Sequence, residues 1–271
     1  MSMNNKRLRF GCHNFLNSKP LTYALTEEIV KAPFETVFAP PSALADMLKN
    51  GELDFALIPA IEYQRIPDLK IVPGFSIAAA GEVKTVLMFS DKLVEGINKV
   101  AVDFRSRTSV ALLKILFKKK FGRNIETVEE EGSFEIPATM LGNADAALLI
   151  GDEAFLVDLE KFRVMDLSKE WFDLTGKPFV FAILCVREGV NIDEAIKYLT
   201  EAKAVGFENI ISICDDATDK IGLSDEECRD YLLHRIRYEL SEEDVEGMKL
   251  FFEYAVAEGL VDSSNISFYG E

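Results

Sequence analysis

Short apolar runs alternate along the chain with segments of helical periodicity, a pattern typical of α/β units with largely parallel strands. In the first part of the chain the apolar runs predict strands over residues 8–12, 34–39 and 54–59. Between them, Asn17-Ser18-Lys19-Pro20 and Pro41-Ser42 carry residue types that cap or begin helices. The pattern therefore predicts a strand–helix series that ends at Pro59.

A second series of the same kind follows. It comprises strands over residues 100–103, 125–129 and 145–150, a helix over 110–121 that begins at Ser106-Arg107-Thr108-Ser109, and a helix that ends at Met140-Leu141. The two series match at one offset of 91 residues: Asn17-Ser18 falls on Thr108-Ser109, and the strand from Asp54 on the strand from Asp145. We expect two similar lobes, with a ligand site in the crevice formed by strand ends and helix starts.

Two stretches of chain are placed to connect the lobes. Residues 71–75 and 83–89 form an extended pair that leads out of lobe one, and the apolar run 179–186 leads back. Residues 192–214 and 225–258 have apolar positions at helical spacing. We predict that lobe one comprises residues 1–87 and 187–271, with the C-terminal helices packed on it, and that lobe two comprises 88–186.

Charge is unevenly distributed between these parts. The formal net charge is −16, of which residues 187–271 contribute −13 and residues 1–186 only −3. The one basic run, Lys118-Lys119-Lys120, lies on a predicted solvated helix face. Nucleic acid and anionic membrane surfaces are therefore poor partners, whereas the nearly neutral lobes do not exclude a small anionic ligand.

Several classes of protein are disfavoured by what the sequence lacks. No apolar stretch is long enough to span a bilayer, and the N-terminus lacks the apolar run of a signal peptide, so we expect a cytoplasmic protein without membrane insertion. Cys12, Cys185, Cys214 and Cys228 have no metal-ligand spacing, and we expect them to be buried and reduced, with no metal site. Nucleotide-binding, zinc-hydrolase and serine-hydrolase motifs are missing.

The remaining candidates are neutral donors at helix starts: Asn17 and Ser18 in lobe one, and Ser106, Thr108 and Ser109 in lobe two. Free amide groups and the positive end of the helix dipole suit a carboxylate or phosphate there. Ordinary N-capping is an equally good explanation for any one of them. Taken together on facing lobes, they favour a ligand with two anionic groups.

Three further residues each have a functional and a structural interpretation. Asp152 follows a buried strand and is a candidate general base or hydroxyl acceptor, with N-capping as the alternative. Tyr63 is a candidate pocket wall, with core packing as the alternative. His13 ends the first strand and is interpreted as a structural histidine outside the catalytic set.

At these positions the sequence resembles the chorismate dehydratase family of the futalosine route to menaquinone. The similar segments are Phe15–Leu21 (FLNSKPL), Gly51–Tyr63 (GELDFALIPAIEY), Arg105–Leu113 (RSRTSVALL), Asp145–Ala154 (DAALLIGDEA) and Leu174–Ala182 (LTGKPFVFA). The resemblance covers about residues 8 to 190. It implies a type II periplasmic-binding-protein-like fold, which agrees with the two-lobed α/β pattern, and no cofactor.

The resemblance also implies a reaction, the loss of water from chorismate to give 3-[(1-carboxyvinyl)oxy]benzoate. Asn17 is implied as the catalytic residue, which orients substrate or binds the departing hydroxyl. Binding of the two carboxylates and the hydroxyl is implied for a second set, Thr85, Ser106, Thr108, Ser109, Gly151 and Asp152. The helix start and the pocket wall add Ser18 and Tyr63 to the expected substrate contacts. The proton acceptor is either Asp152 or a substrate carboxylate, and we favour the latter.

Two other functions fit the same fold. A sister enzyme forms 1,4-dihydroxy-6-naphthoate with a histidine base, but residues 88–186 contain no histidine. A solute-binding protein for a small dicarboxylate would need export, and a signal peptide is missing. The oligomeric state is not indicated by the sequence.

Overall fold

Two five-stranded mixed sheets, each flanked by helices, build the protein. The computed structural model describes residues 7–103, 105, 107–130 and 140–271. The strands are β1 (Arg9–Cys12), β2 (Glu35–Phe38), β3 (Phe55–Pro59), β4 (Leu69–Ala79), β5 (Val86–Ser90), β6 (Lys99–Asp103), β7 (Glu126–Glu130), β8 (Ala146–Ile150), β9 (Arg163–Asp166) and β10 (Phe179–Arg187). The helices are α1 (Lys19–Thr26), α2 (Pro41–Lys49), α3 (Ala60–Tyr63), α4 (Arg107–Phe121), α5 (Leu167–Thr175), α6 (Asp193–Glu208), α7 (Ile210–Ile221), α8 (Asp225–Asp230) and α9 (Glu242–Ala257).

The two sheets have the same internal order. The first is β2-β1-β3-β10-β4 and the second β7-β6-β8-β5-β9. The predicted offset recurs in the strand starts, from Glu35 to Glu126 and from Phe55 to Ala146. The central strands β3 and β8 are buried along their whole length, which explains their continuous apolar sequences. The expectation of two similar α/β lobes is confirmed.

The sheets are less parallel than the sequence pattern suggested. In the first sheet β1 pairs in parallel with β2 and β3, whereas β10 runs antiparallel to β3 and β4. In the second sheet β6 pairs in parallel with β7 and β8, whereas β5 runs antiparallel to β8 and β9. The antiparallel strand β10 enters the first sheet from the half of the protein built on the second sheet, and β5 enters the second sheet from the half built on the first. These two crossings make the sheets mixed.

The return crossing comes earlier than the proposed lobe boundaries imply. Residues 179–186 fall within the expected lobe two, but β10 is hydrogen-bonded inside the first sheet. The chain therefore returns to the first half before Phe179. The outgoing crossing lies between β4 in the first sheet and β5 in the second.

The C-terminal helices cover the first half and its junction with the second. The helix α6 packs on α1 so closely that a Cβ on Gly206 would lie 2.0 Å from the carbonyl oxygen of Pro20. The helix α9 instead packs its Phe251 against Phe179 of β10 and Trp171 of α5, at ring-centroid distances of 4.9 and 6.2 Å. The prediction that the C-terminal helices pack on lobe one therefore holds for α6, whereas α9 also contacts α5, which follows the last strand of the second sheet.

The expectation that all four cysteines are reduced is wrong for two of them. Cys214 in α7 and Cys228 in α8 form a disulfide with a Cα–Cα distance of 5.6 Å. The two helices are consecutive and pack on each other, which brings the two thiols together across a short turn. Cys12 and Cys185 are free and buried, as expected.

Candidate active site

A cavity of about 540 Å³, measured with its open mouth, lies between the two sheets. Its wall is largely apolar with a few polar groups, as is usual for small-molecule sites. Five of the residues expected in the site line it: Asn17, Thr85, Thr108, Ser109 and Gly151. They come from both halves and from the outgoing crossing, so the cavity is the predicted inter-lobe cleft.

Asn17 is presented by a short 3-10 turn between β1 and α1. The turn spans Leu16–Ser18, and the Ser18 hydroxyl closes it by donating to the carbonyl oxygens of His13 and Phe15 at 2.6 and 2.8 Å. The Asn17 side chain is half-buried, and within the described part of the chain its Oδ1 is buried without a hydrogen-bond partner. An acceptor left unsatisfied at a cavity wall is available to a ligand.

The same turn is held from the second half of the chain by Asp152. Its Oδ1 and Oδ2 accept from the backbone N–H of Leu16 at 2.9 and 3.1 Å, so the carboxylate binds the residue next to Asn17. Burial raises the pKa of Asp152 to about 6, although the hydrogen bond from Leu16 opposes that rise. The contact fixes the position of the Asn17 backbone relative to the second sheet.

Thr85, on the outgoing crossing, lines the same cavity as Asn17 and contacts a residue from the C-terminal region. Thr85 is fully buried, and its Oγ1 lies 2.9 Å from the hydroxyl of Tyr231. Tyr231 opens a single π turn, Tyr231–Arg235, and is also buried. Burial raises the pKa of the Tyr231 phenol, while the hydrogen bond between Tyr231 and Thr85 and the polar Asn17 side chain oppose that rise. Asn17, Thr85 and Tyr231 therefore form one polar cluster.

The start of α4 supplies the donors of the second half. Its first-turn amide groups lack helical acceptors and carry the positive end of the helix dipole. Ser109 and Thr108 both line the cavity there, and the Thr108 hydroxyl oxygen also accepts from the N–H of Ile61 at 3.2 Å. That hydrogen bond joins the helix start to α3 of the first half. Ser106, the third expected donor at this helix start, lies outside the described residues.

Gly151 allows the two halves to approach each other beside Asn17. Its φ is +73°, and a Cβ there would lie 3.0 Å from the aromatic ring of Phe15. Its N–H donates to the Thr85 carbonyl oxygen at 2.9 Å, which leaves its Cα hydrogens facing the ring. Gly151 therefore shapes the wall, and its backbone donor is already used.

Two arginines in the wall are neutralised by carboxylates. Arg105 donates to Asp103 at 2.8 Å and to Glu153 at 3.3 Å. Arg107 donates to Asp46 at 2.8 Å and to Glu62 at 3.1 Å, and so joins the second half to the first. Both arginines lie within one of the family-like segments, and neither was predicted to have a role. They place positive charge near the cavity without making a basic patch.

His13 also lines the cavity, although it was not predicted among the site residues. It is buried and its ring packs 5.1 Å from that of Phe15. Burial lowers the pKa of His13 to about 4, so the imidazole is neutral at pH 7. Its Nδ1 is buried and lacks a hydrogen-bond partner in the described part of the chain. In the sequence, the only indication that His13 lies at the site was its position at the end of the first predicted strand, just before the segment FLNS (residues 15–18).

Three of the expected substrate contacts point elsewhere. Ser18 is fully buried beneath the turn that it closes, and Asp152 is engaged with Leu16. The hydroxyl of Tyr63 accepts from the N–H of Ser267 at 2.8 Å, and its ring stacks on Phe252 of α9. The sequence located their elements correctly at or near the cleft but did not specify the direction of these side chains.

Neither a metal cluster nor a membrane span occurs among the described residues. No group of three or more His, Cys, Asp or Glu side chains in residues 7–103, 105, 107–130 and 140–271 could hold a metal ion. No helix in the same ranges is long and apolar enough to cross a membrane.

Comparison with known families gives a match over nearly the whole chain. Residues 8–257 match the family model for menaquinone biosynthesis. The chain is 30% identical over 262 residues to the chorismate dehydratase of Thermus thermophilus, a match that covers 90% of this chain and 93% of that protein.

Solved structures with the same fold include two instructive examples. A structural-genomics protein from Archaeoglobus fulgidus superposes with a TM-score of 0.81 at 20% identity, covering 95% of this chain and all of that one. The alkanesulfonate-binding protein of Xanthomonas axonopodis pv. citri, bound to MOPS, superposes with a TM-score of 0.69 at 16% identity, covering 96% of each chain. The fold is therefore that of periplasmic binding proteins.

Proposed function

The chain belongs to the menaquinone biosynthesis family, and on that premise we propose that it is a hydro-lyase that dehydrates chorismate to 3-[(1-carboxyvinyl)oxy]benzoate. The observation that carries the proposal is the inter-lobe cavity, whose wall includes Asn17, Thr85 and the start of α4, and where Asn17 Oδ1 is buried with no hydrogen-bond partner among the described residues. We place the reaction in the cytoplasm.

The cavity wall offers separate groups for a carboxylate and for the hydroxyl of the substrate. The first turn of α4, with Thr108 and Ser109, provides amide and hydroxyl donors for one carboxylate. Arg105 and Arg107 add positive potential, but their carboxylate partners keep the net local charge low. Asn17 and Thr85 are left for the substrate hydroxyl. We therefore propose these residues, with Gly151 shaping the wall, as the substrate-binding set.

The proposed chemistry removes one water molecule and makes the ring aromatic. The C3–H and C4–O bonds break, a C3=C4 double bond forms, and the C3 proton and C4 hydroxyl leave as water. Because aromatisation favours this outcome, the protein needs mainly to place the substrate in a dry cavity. Asn17 holds the departing hydroxyl in this scheme, and no metal or cofactor takes part.

The C3 proton acceptor in this scheme is a carboxylate of the substrate itself. Asp152 is the other candidate, but both of its oxygens accept from the N–H of Leu16. His13 lines the same wall, and its lowered pKa leaves it a weak base. Asp152 then serves to hold the turn of Asn17 in place.

The proposal is tested by incubating the protein with chorismate and following the aromatic product by absorbance and mass. We expect turnover by the wild type and a loss of about 100-fold or more in kcat for Asn17→Ala, because the group that orients the departing hydroxyl is removed. Asn14→Ala, at the exposed end of the same loop, is the matched control and should keep its activity. Tight binding of chorismate without any product would favour a solute-binding function instead.

A further inference from the structure

Tyr231 contacts Thr85 of the cavity wall from a C-terminal segment that the motifs do not cover. It is 146 residues from Thr85 in sequence, yet its hydroxyl lies 2.9 Å from Thr85 Oγ1. The π turn that carries it is tied to the outgoing crossing, because Arg235 donates to the Glu82 carboxylate at 2.7 Å. Single π turns inside helices occur frequently at functional sites.

The hydrogen bond between this phenol and Thr85 has a preferred direction. Tyr231 is buried, and within the described residues Thr85 Oγ1 is the hydrogen-bond partner of its hydroxyl. A buried phenol proton without an acceptor would be costly, so Tyr231 donates to Thr85 Oγ1. The raised pKa of Tyr231 keeps that proton in place at neutral pH.

This direction sets what the wall offers to a ligand. The Thr85 hydroxyl, which accepts from Tyr231, keeps its own proton for the cavity. Asn17, whose Oδ1 is buried without a partner in the described part of the chain, presents that acceptor at the cavity wall. A substrate hydroxyl can then donate to Asn17 and accept from Thr85, and the second of these bonds strengthens as negative charge develops on the departing oxygen.

We propose that Tyr231 is a positioning residue that fixes the Thr85 hydroxyl as a donor toward the leaving hydroxyl. This role rests on the proposed dehydration. The tyrosine ring itself is held edge-to-face against Phe155 at 5.1 Å, so the hydroxyl can be removed without emptying the space.

The test compares the wild type with Tyr231→Phe in steady-state turnover of chorismate. We expect kcat to fall about 10- to 100-fold with KM changed less than about threefold. The reason is that Thr85, the donor to the departing oxygen, loses its orientation while the carboxylate donors remain. Tyr238→Phe is the matched control: Tyr238 is also buried, packs edge-to-face on Phe207, and its hydroxyl has no partner in the described part of the chain. That variant should keep both constants.

A double variant separates this role from a structural one. If Tyr231 acts through Thr85, Thr85→Val combined with Tyr231→Phe should lose no more in kcat than Thr85→Val alone. Should Tyr231→Phe fail to fold, 4-aminophenylalanine at position 231 keeps a donor at the same place, and we expect its kcat within about tenfold of the wild type.

The outcomes distinguish this role from the function on which it rests. If the wild type turns over chorismate, three results would each overturn the role of Tyr231 alone. They are an unchanged kcat in folded Tyr231→Phe, additive losses in the double variant, and an inactive folded variant with 4-aminophenylalanine at position 231. Absence of turnover in the wild type would overturn the proposed dehydration, and this role with it.

Discussion

Replacement of Asp152 by asparagine should make the protein more stable at neutral pH. Asparagine keeps an acceptor oxygen for the N–H of Leu16 but removes a charge that burial disfavours. The pKa of Asp152 is raised from 3.8 to about 6. At about 1.4 kcal/mol for each pH unit, the ionised form costs about 3 kcal/mol of folding free energy at pH 7. We expect Asp152→Asn to recover up to about that amount.

The pH dependence gives the sign of the effect. The stability that protonated Asp152 contributes is fully present below its unfolded pKa near 3.8 and is lost as pH rises through about 6. The stability difference between the variant and the wild type should therefore be small near pH 4 and level off above about pH 7. Urea unfolding of both proteins across this range measures it.

Asp145→Asn is the matched control with the opposite sign. The hydrogen bond from Lys92 lowers the pKa of Asp145 from 3.8 to about 2, so its ionised form stabilises the fold. The contribution is present above pH 3.8 and is lost as pH falls through about 2, so this substitution should lower stability at pH 7.

Two results would refute the reasoning about Asp152. An Asp152→Asn variant that is less stable than the wild type at pH 7 would show that burial does not dominate at this carboxylate. A folded variant that binds chorismate normally but does not turn it over would show that Asp152 is the proton acceptor. We expect instead a kcat within about threefold of the wild type, because the Leu16 hydrogen bond is retained.

Other predictions concern packing and the disulfide. Gly151→Ala should lower the free energy of unfolding by about 1–3 kcal/mol and reduce turnover, because its φ is +73° and the new Cβ would press on an aromatic ring of the cavity wall at 3.0 Å. Gly206→Ala should lower the free energy of unfolding in urea by about 3 kcal/mol or more, because its new Cβ would lie 2.0 Å from a backbone oxygen. Gly96→Ala, whose Cβ would have its nearest contact at 3.7 Å, should lower it by less than about 1 kcal/mol. Without reductant, the denatured chain should show two reactive thiols, and breaking the Cys214–Cys228 bond should lower stability by up to about 3 kcal/mol.

The sequence predicted the elements of the cleft well because these depend on local pattern. Apolar runs located β3 and β8, and the shared offset revealed the repeat. The predicted helix starts included Asn17, Thr108 and Ser109, and the resemblance added Thr85; all four line the cavity. Each of these residues lies at a strand end, a helix start or the crossing, where position along the chain largely determines position in the cleft.

What the sequence did not predict depends on contacts between distant residues. Tyr231 has the same spacing as an ordinary core residue of an amphipathic helix, and only the folded chain brings it to Thr85. Asp152 follows the expected strand, but its carboxylate turns to the backbone of Leu16 instead of the cavity. The pairing of Cys214 with Cys228 likewise requires the packing of α7 on α8.

The most direct measurement of the central claim uses chorismate labelled with deuterium at C3. If the protein removes the C3 proton and the C4 hydroxyl, mass spectrometry should show a product that has lost the label together with the hydroxyl oxygen, and Asn17→Ala should form it far more slowly. A product that retains the deuterium, or an unchanged substrate after prolonged incubation with the folded protein, would contradict the proposed dehydration.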